Sequence, residues 1–266
     1  MISSDEIQRG LKTELLGKRI DTFEIIDSTN TAAKKLAERG APEGTVVIAE
    51  YQTDGRGRFH RKWHGEPEKN LLLSLILRPH DKRIAPLVTY LTALSAADAV
   101  QGITGITVEC KWPNDLLIND RKFCGILLES SWKAVPCDPL RQESMADFLV
   151  IGVGMNVNQE KFPTDLCQTA TSLKIECGRE FDRASLIRDF FERLERGYLQ
   201  SEKSGFEGIL RKWKMKCRTF GKEISVEQSG KILKGKAIDL SADGALLIED
   251  HDRLTRVFAG DVRVLN

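Results

Sequence analysis

The sequence predicts an α+β protein that ends in a small β-barrel. Three observations carry this reading: apolar residues recur at helical spacing around residues 84–100 and 186–198, period-two alternation marks strands between the helices, and from about Gly221 the chain turns to short alternating segments joined by turn residues. At 266 residues there is room for one large domain, or a medium domain and a small one, with a well-buried core. The apolar fraction of 41% and the charged fraction of 30% are ordinary for a globular protein, and no apolar run approaches the roughly 20 residues that a bilayer span needs. Residues 1–18 mix acids and bases without an apolar stretch, so they do not read as a signal peptide, and a cytoplasmic address is expected. The six cysteines are scattered without C-x-x-C spacing and are read as reduced thiols. A net charge of +1 excludes a global field that would draw polyanions, so any anion must be met by a local patch.

Taken in order, Asp27-Ser28-Thr29-Asn30 reads as an N-cap opening a helix that ends before Gly40 and Pro42. Residues 45–51 and 70–77 are short apolar runs bounded by turn or charged residues and predict strands. Leu87, Val88, Leu91 and Leu94 place a helix over 84–100. Ile106, Val108, Cys110 and Trp112 alternate with polar residues, a strand with one buried face. Turns at Pro113-Asn114-Asp115 and Asn119-Asp120-Arg121 then predict a hairpin through residue 129. Residues 148–158 read as a strand with Gly152, Gly154 and Asn156 on one face, and a late amphipathic helix follows, capped by Asp182. Strands at 223–227, 233–240, 245–249 and 255–258, with turns at Ser229-Gly230 and Ala242-Asp243-Gly244, predict the barrel and a domain boundary near Phe220: residues 1–220 and 221–266.

Four segments carry chemistry. Gln52-Thr53-Asp54-Gly55-Arg56-Gly57-Arg58-Phe59-His60-Arg61-Lys62-Trp63 sets four cations within seven residues beside glycines that let backbone approach a ligand. Its arginines offer forks suited to phosphate or carboxylate, and its tryptophan a cover for an apolar or aromatic ligand; a solvated basic loop contacting RNA fits the same composition. Lys111-Trp112-Pro113-Asn114-Asp115 presents polar residues at a strand end, or is a hairpin turn alone. Lys122-Phe123-Cys124-Gly125-Ile126-Leu127-Leu128-Glu129 is an apolar strand headed by a lysine. Gly152-Val153-Gly154-Met155-Asn156-Val157-Asn158 leaves room on one strand face, for a flat ligand or for a close strand or helix contact. There is no GxxxxGK[ST] loop, the dinucleotide fingerprint fails for want of a third glycine, and the four histidines lack metal-ligand spacing.

In this order, Asp27-Ser28-Thr29-Asn30 and the four segments resemble the biotin protein ligase family from Asp27 to Asn158, and the terminal barrel suits that family's small C-terminal domain. The resemblance implies a class II synthetase-like catalytic domain with a mixed sheet and packed helices, followed by an SH3-like barrel. It implies ATP-dependent activation of biotin to biotinyl-5'-AMP, with Mg²⁺ on the triphosphate, and transfer of biotin to a lysine of a biotin carboxyl carrier protein of acetyl-CoA carboxylase or a related carboxylase. By motif match Ser28, Thr29, Asn30, Gln52, Arg56, Gly57, Arg58, Lys122 and Gly125 bind biotin. Arg58, Arg61, Trp63, Lys111, Asn114 and Asn156 surround the nucleotide, and Arg58, Lys122 and Asp115 are the catalytic set, with no metal held by protein ligands. Only 26 residues precede Asp27, where the repressor members of the family carry a DNA-binding domain, so the monofunctional type is expected, without specific DNA and without a membrane. A homodimer and a monomer both stay open. The competing readings are a lipoate or octanoate ligase, against which the Gly-Arg-Gly-Arg and Lys-Trp-Pro-Asn-Asp motifs argue, and a non-catalytic RNA-binding protein.

Overall fold

A computed structural model of the chain describes residues 1–81, 84–131, 148–228, 231–251 and 253–265. The first sheet has seven strands: β1 (Ile20–Ile26), β2 (Val46–Gln52), β3 (Leu71–Leu77), β4 (Glu109–Lys111), β5 (Asp115–Ile118), β6 (Arg121–Ser131) and β7 (Phe148–Met155). The helices are α1 (Ser4–Gln8), α2 (Thr29–Glu38), α3 (Ala85–Thr104), α4 (Leu173–Cys177), α5 (Arg183–Ser204) and α6 (Glu207–Lys216). The strand order is β1-β2-β3-β7-β6-β5-β4. Only β1 and β2 are parallel, since α2 carries the chain back between them; the other neighbours are antiparallel, so the sheet is mixed as expected.

The two faces of this sheet have different coverings. Val46, Leu73, Leu75, Ile151 and Val153 share a core with α3 and α5. On the opposite face Ile76, Phe148 and Val150 are covered by α2 through Ala33 and Ala37, whose small side chains let the helix lie close. Pairing puts Ser74 beside Gly152, and Gly125 beside Gly154, on this same face beyond the reach of α2's apolar stripe. That uncovered half positions the site.

The second sheet consists of β8 (Glu223–Gln228), β9 (Lys231–Leu240), β10 (Leu246–Asp250), β11 (Arg253–Val257) and β12 (Asp261–Val264) in the order β11-β10-β9-β8-β12. All its neighbours are antiparallel, the arrangement of the small SH3-like domain. Its Ile224, Val226, Leu240, Leu246 and Val257 join the same core as α3. The Ala242-Asp243-Gly244 turn seats on α3: Tyr90 Oη donates to Gly244 O at 2.7 Å, and a Cβ on Gly244, whose φ is +87°, would lie 2.9 Å from the Tyr90 ring.

Several boundaries differ from the sequence reading. The strand expected over 106–112 is only Glu109–Lys111, because it is an edge strand whose partner β5 is short, and the Trp112 N–H leaves the ladder for Thr219 Oγ1 at 3.1 Å. The strand expected to reach Asn158 ends at Met155. Helix α3 runs on to Thr104, where Gly105 takes a left-handed cap at φ +72°. Ser28 does hold the N-cap position of α2, but its side chain makes no capping bond; Gln52 Oε1 accepts from the Thr29 N–H at 2.7 Å instead. Asp182 caps α5 as expected, accepting from the Ala184 N–H at 3.0 Å. Strands β1 and β12 and helices α1, α4 and α6 had no counterpart in the sequence reading. The Ser229-Gly230 turn and Cys137 lie outside the described residues; the five described cysteines are free thiols.

Candidate active site

The residues singled out from the sequence, scattered from Ser28 to Asn156, all line one cleft of about 710 Å³ over the uncovered half of the sheet face. Its volume suits a drug-sized ligand or a slightly larger one.

One end is built by the start of α2. Thr29 Oγ1 lies 3.0 Å from Gln52 Oε1, and Ser74 Oγ lies 2.8 Å from Thr29 Oγ1 and 2.6 Å from Asn30 Oδ1. Each hydroxyl has one proton, so Ser74 donates to Asn30 and accepts from Thr29, or Thr29 donates to Gln52. Asn30 Nδ2 donates to Glu129 Oε2 at 2.6 Å. Ser28, Thr29 and Asn30 are nearly fully buried, which makes this end a rigid, uncharged polar pocket. Gly152 belongs to it, since a Cβ there would stand 2.2 Å from Asn30 Oδ1.

The basic segment forms a loop folded back over the cleft. Gly57 N–H bonds Arg61 O at 2.7 Å, Trp63 N–H bonds Gly55 O at 2.8 Å, and Arg56 pairs with Lys62 as an isolated bridge. At its tip Phe59 is exposed and has φ +55°, a conformation that costs a side-chain-bearing residue about 1–3 kcal/mol. Arg56 Nη2 donates to Thr31 Oγ1 of α2 at 2.9 Å. Arg58 Nη1 donates to Asn114 Oδ1 at 3.3 Å, which ties the loop to the Lys111–Asp115 turn. Trp63 returns to the sheet, its indole against Gly154 and Gly125, where added Cβ atoms would lie 2.6 and 3.1 Å away. The room left by Gly152 and Gly154 is therefore filled by Asn30 and Trp63, the close-contact reading rather than a flat ligand lying directly on the strand.

The third wall is the β5–β6 hairpin, turned at Asn119 and Asp120 with φ of +48° and +65°. Lys122 Nζ and Asp115 Oδ1 meet at 2.6 Å across it, and Lys122 Nζ stands 5.7 Å from the centre of the Trp63 ring. The Lys122 backbone is clamped on the side away from β5 by residues 169–171, through Lys122 N–H to Thr169 O at 2.8 Å and Thr171 N–H to Lys122 O at 2.9 Å. Asn114 Nδ2 donates to Ile126 O at 2.6 Å, and Asn156 Nδ2 to Thr171 O at 3.0 Å. Asp115 Oδ1 is buried with the Lys122 ammonium as its contact, and two further polar atoms of this region, Asn156 Oδ1 and Trp63 Nε1, are buried without a protein partner. Buried polar atoms left unpaired cost stability, so a ligand that pairs with them gains affinity. Neighbouring Cys124 is no nucleophile: burial pushes its thiol up to about 12, so it stays protonated.

Sequence reasoning missed Ser74 and Glu129, which orient Asn30, and Thr169–Thr171, which hold Lys122 and Asn156. It also missed Arg218, Thr219, Lys222, Val262 and Val264, which bring the C-terminal region to the cleft wall. Glu129 ends the segment over 122–129 without a role assigned to it, and the others sit in no motif; only the chain's return to the cleft gives them a place there.

A model of the Biotin/lipoate A/B protein ligase family matches residues 22–136, and one of the Biotin protein ligase C terminal domain matches residues 219–264. The bifunctional ligase/repressor BirA of Bacillus subtilis is 34% identical over 266 residues, covering 99% of this chain and 79% of the relative. The biotin–[acetyl-CoA-carboxylase] ligase of Mycobacterium tuberculosis is 28% identical, with 96% and 94% covered. Among solved structures, a biotin protein ligase of Aquifex aeolicus in complex with biotin and ATP superimposes with a TM-score of 0.78 at 27% identity, covering 93% of this chain and 99% of that one.

Proposed function

The chain belongs to the biotin protein ligase family, and from that premise we propose which residues of its cleft do which part of the reaction. The protein is a ligase that activates biotin with ATP and transfers the biotinyl group to a lysine of a biotin carboxyl carrier protein. A lipoate ligase and an RNA-binding module are disfavoured by relatives of nearly full length and by the match to the C-terminal domain model. The observation that carries the assignment of residues is the convergence of five separated motifs on one cleft.

In the first step a biotin carboxylate oxygen attacks the α-phosphorus of ATP, and the bond to the pyrophosphate leaving group breaks. Two anions must approach, so the catalysis is charge neutralisation and positioning. The uncharged end at Ser28, Thr29, Asn30 and Gln52 suits biotin's ureido head, with Gly125 leaving room on the sheet. Arg56 and Gly57 lie in the loop above it. Lys122 and Arg58 then lie where carboxylate and α-phosphate meet. Arg61, Trp63, Lys111, Asn114 and Asn156 surround the nucleotide, Asn156 through its unpaired Oδ1. Mg²⁺ enters with ATP: the acids lining the cleft, Asp115 and Asp120, are each paired with a cation, Lys122 and Arg218.

In the second step the carrier lysine attacks the acyl carbon and AMP leaves. The amine must first lose a proton, and Asp115 is the acid placed to orient it and take that proton. Asp115→Asn is expected to slow transfer from preformed biotinyl-AMP about 10²-fold, and more than it slows adenylation. Unchanged single-turnover transfer would remove Asp115 from this role. Because Asp115 also holds Lys122, an equal loss in both steps would make it a positioning residue alone.

Four further assignments belong to this reading. The chain divides at 220/221 into catalytic and C-terminal domains; the carrier is that of acetyl-CoA carboxylase or a related carboxylase; the reaction is cytoplasmic; and a homodimer is compatible with it. No helix among the described residues is long and apolar enough to cross a membrane. This chain is expected to leave duplex DNA unprotected at physiological salt, given its net charge of +1. A footprint on any promoter would overturn that expectation. Biotin-dependent exchange of labelled pyrophosphate into ATP, run beside lipoate, tests the function as a whole.

A further inference from the structure

Strand β7 pairs with β6 only from Cys124 onward, opposite Met155. At Lys122 its place is taken by residues 169–171, with Ala170 beside Lys122 as an isolated parallel bridge. Thr171 of this segment reaches two cleft residues at once: its N–H bonds Lys122 O at 2.9 Å, and its carbonyl accepts from Asn156 Nδ2 at 3.0 Å. The second bond sets the amide so that Asn156 Oδ1, which has no protein partner, is left to a ligand. A shift of Thr171 would therefore move the Lys122 backbone and turn the Asn156 amide together.

Thr171 is itself held by Glu176, on α4. Its side chain is buried, and its hydroxyl donates to Glu176 Oε1 at 2.5 Å. The same oxygen accepts from Arg121 Nη2 at 2.5 Å, and Glu176 Oε2 accepts from Asn119 Nδ2 at 2.7 Å. Asn119 and Arg121 flank the turn between β5 and β6. One carboxylate thus joins the turn just before Lys122 to the segment that lies beside it. The Glu176 side chain is only 4% exposed, and charge-assisted bonds in so dry a place are strong and directional. Neither Glu176 nor Thr171 lines the cleft, so neither touches a ligand there.

We propose that Glu176 is a positioning residue for adenylation: through Thr171 and the β5–β6 turn, its carboxylate holds Lys122 and Asn156 in one fixed arrangement facing biotin's carboxylate and the nucleotide. The proposal rests on the biotin ligase reading of the cleft and extends it to a residue outside both the motifs and the cleft wall. Burying a carboxylate costs desolvation that an apolar residue would avoid. What the carboxylate supplies here is geometry, by tying three donors from two segments to one point.

The test uses the full chain with Glu176→Ala, Glu176→Gln, Thr171→Val and the double variant Glu176→Ala/Thr171→Val. Biotin titration counts the folded sites, and the maximal rate of biotin-dependent pyrophosphate exchange and the KM for ATP are taken per folded site. Glu176→Ala and Thr171→Val are each expected to lower the maximal rate about 10- to 10²-fold, the usual effect of displacing a reacting constellation by a fraction of an ångström to an ångström. The KM for ATP should rise with it, as the Asn156 amide turns. Glu176→Gln, whose carbonyl still accepts the Thr171 hydroxyl, should recover most of the loss. The double variant should lose no more than either single variant, because both cut the same link. If Glu176→Ala does not fold, Thr171→Val decides alone, since it removes one hydroxyl and keeps the shape. A maximal rate per folded site that is unaltered, whatever the change in thermal stability, overturns the proposal, and so do losses that add in the double variant. Failure of the unaltered protein to exchange pyrophosphate would instead remove the ligase reading itself.

Discussion

Lys122→Gln is expected to lower biotin-dependent pyrophosphate exchange about 10²- to 10³-fold, the usual loss when one electrostatic stabiliser of a transition state is removed. The side chain sits on the inner strand of the hairpin wall, its backbone held by residues 169–171 and its ammonium by Asp115 at 2.6 Å. Glutamine keeps most of the length and the hydrogen-bonding capacity but takes away the cation that the proposed mechanism sets between carboxylate and α-phosphate. A change in stability cannot imitate this result. The Lys122–Asp115 pair is partly open to solvent, at 36% and 23% side-chain exposure, and pairs of that kind contribute about 0–1 kcal/mol, against roughly 3–4 kcal/mol for the catalytic term. Thermal unfolding run beside the exchange assay should therefore show little shift. Exchange equal to that of the unaltered protein would reduce Lys122 to a strand lysine paired with Asp115.

Arg58→Gly is expected to convert a carrier-specific ligase into one that labels bystander proteins. Biotinyl-AMP is an activated anhydride, and it must be kept from water and stray amines until the carrier docks. The loop over residues 55–63 folds across the cleft, and Arg58 is its tether, with Nη1 3.3 Å from Asn114 Oδ1 on the opposite wall. Gly55 and Gly57 give the loop hinges, and Phe59, held at φ +55°, gives it a strained tip that favours movement. Glycine at 58 removes both the tether to Asn114 and the fork that can hold an anionic ligand. The intermediate should then escape, with folding intact. Incubation with biotin, Mg-ATP and serum albumin, followed by probing albumin for biotin, reads the escape directly; the unaltered protein should leave albumin unlabelled. Equal labelling by both, with adenylation confirmed in each, would show that Arg58 does not hold the loop closed.

The sequence by itself singled out the motif residues that converge on the cleft, because those signals are local. A glycine-arginine loop, a polar turn after a strand and a strand with two glycines state their chemistry within a few neighbours. The same locality made α3, α5, the β5–β6 hairpin and four strands of the second sheet legible from periodicity and turn residues. Elements whose pattern depends on distant partners were not legible. Strand β1 shows little alternation because its outer side is a sheet edge, α6 starts after Phe206, which offers no capping side chain, and β12 closes the second sheet only by returning to β8. Only the tertiary structure decided how the site works as an arrangement: that Gly152 and Gly154 make room for Asn30 and Trp63, that Ser74 and Glu129 orient Asn30, and that Asp115 meets Lys122. It alone decided that Lys222 lines the same cleft, more than sixty residues beyond the last motif. The physical reason is that long-range pairing follows from burial of the whole core, where α3, α5 and both sheets share one apolar cluster, and no short stretch of sequence contains that condition.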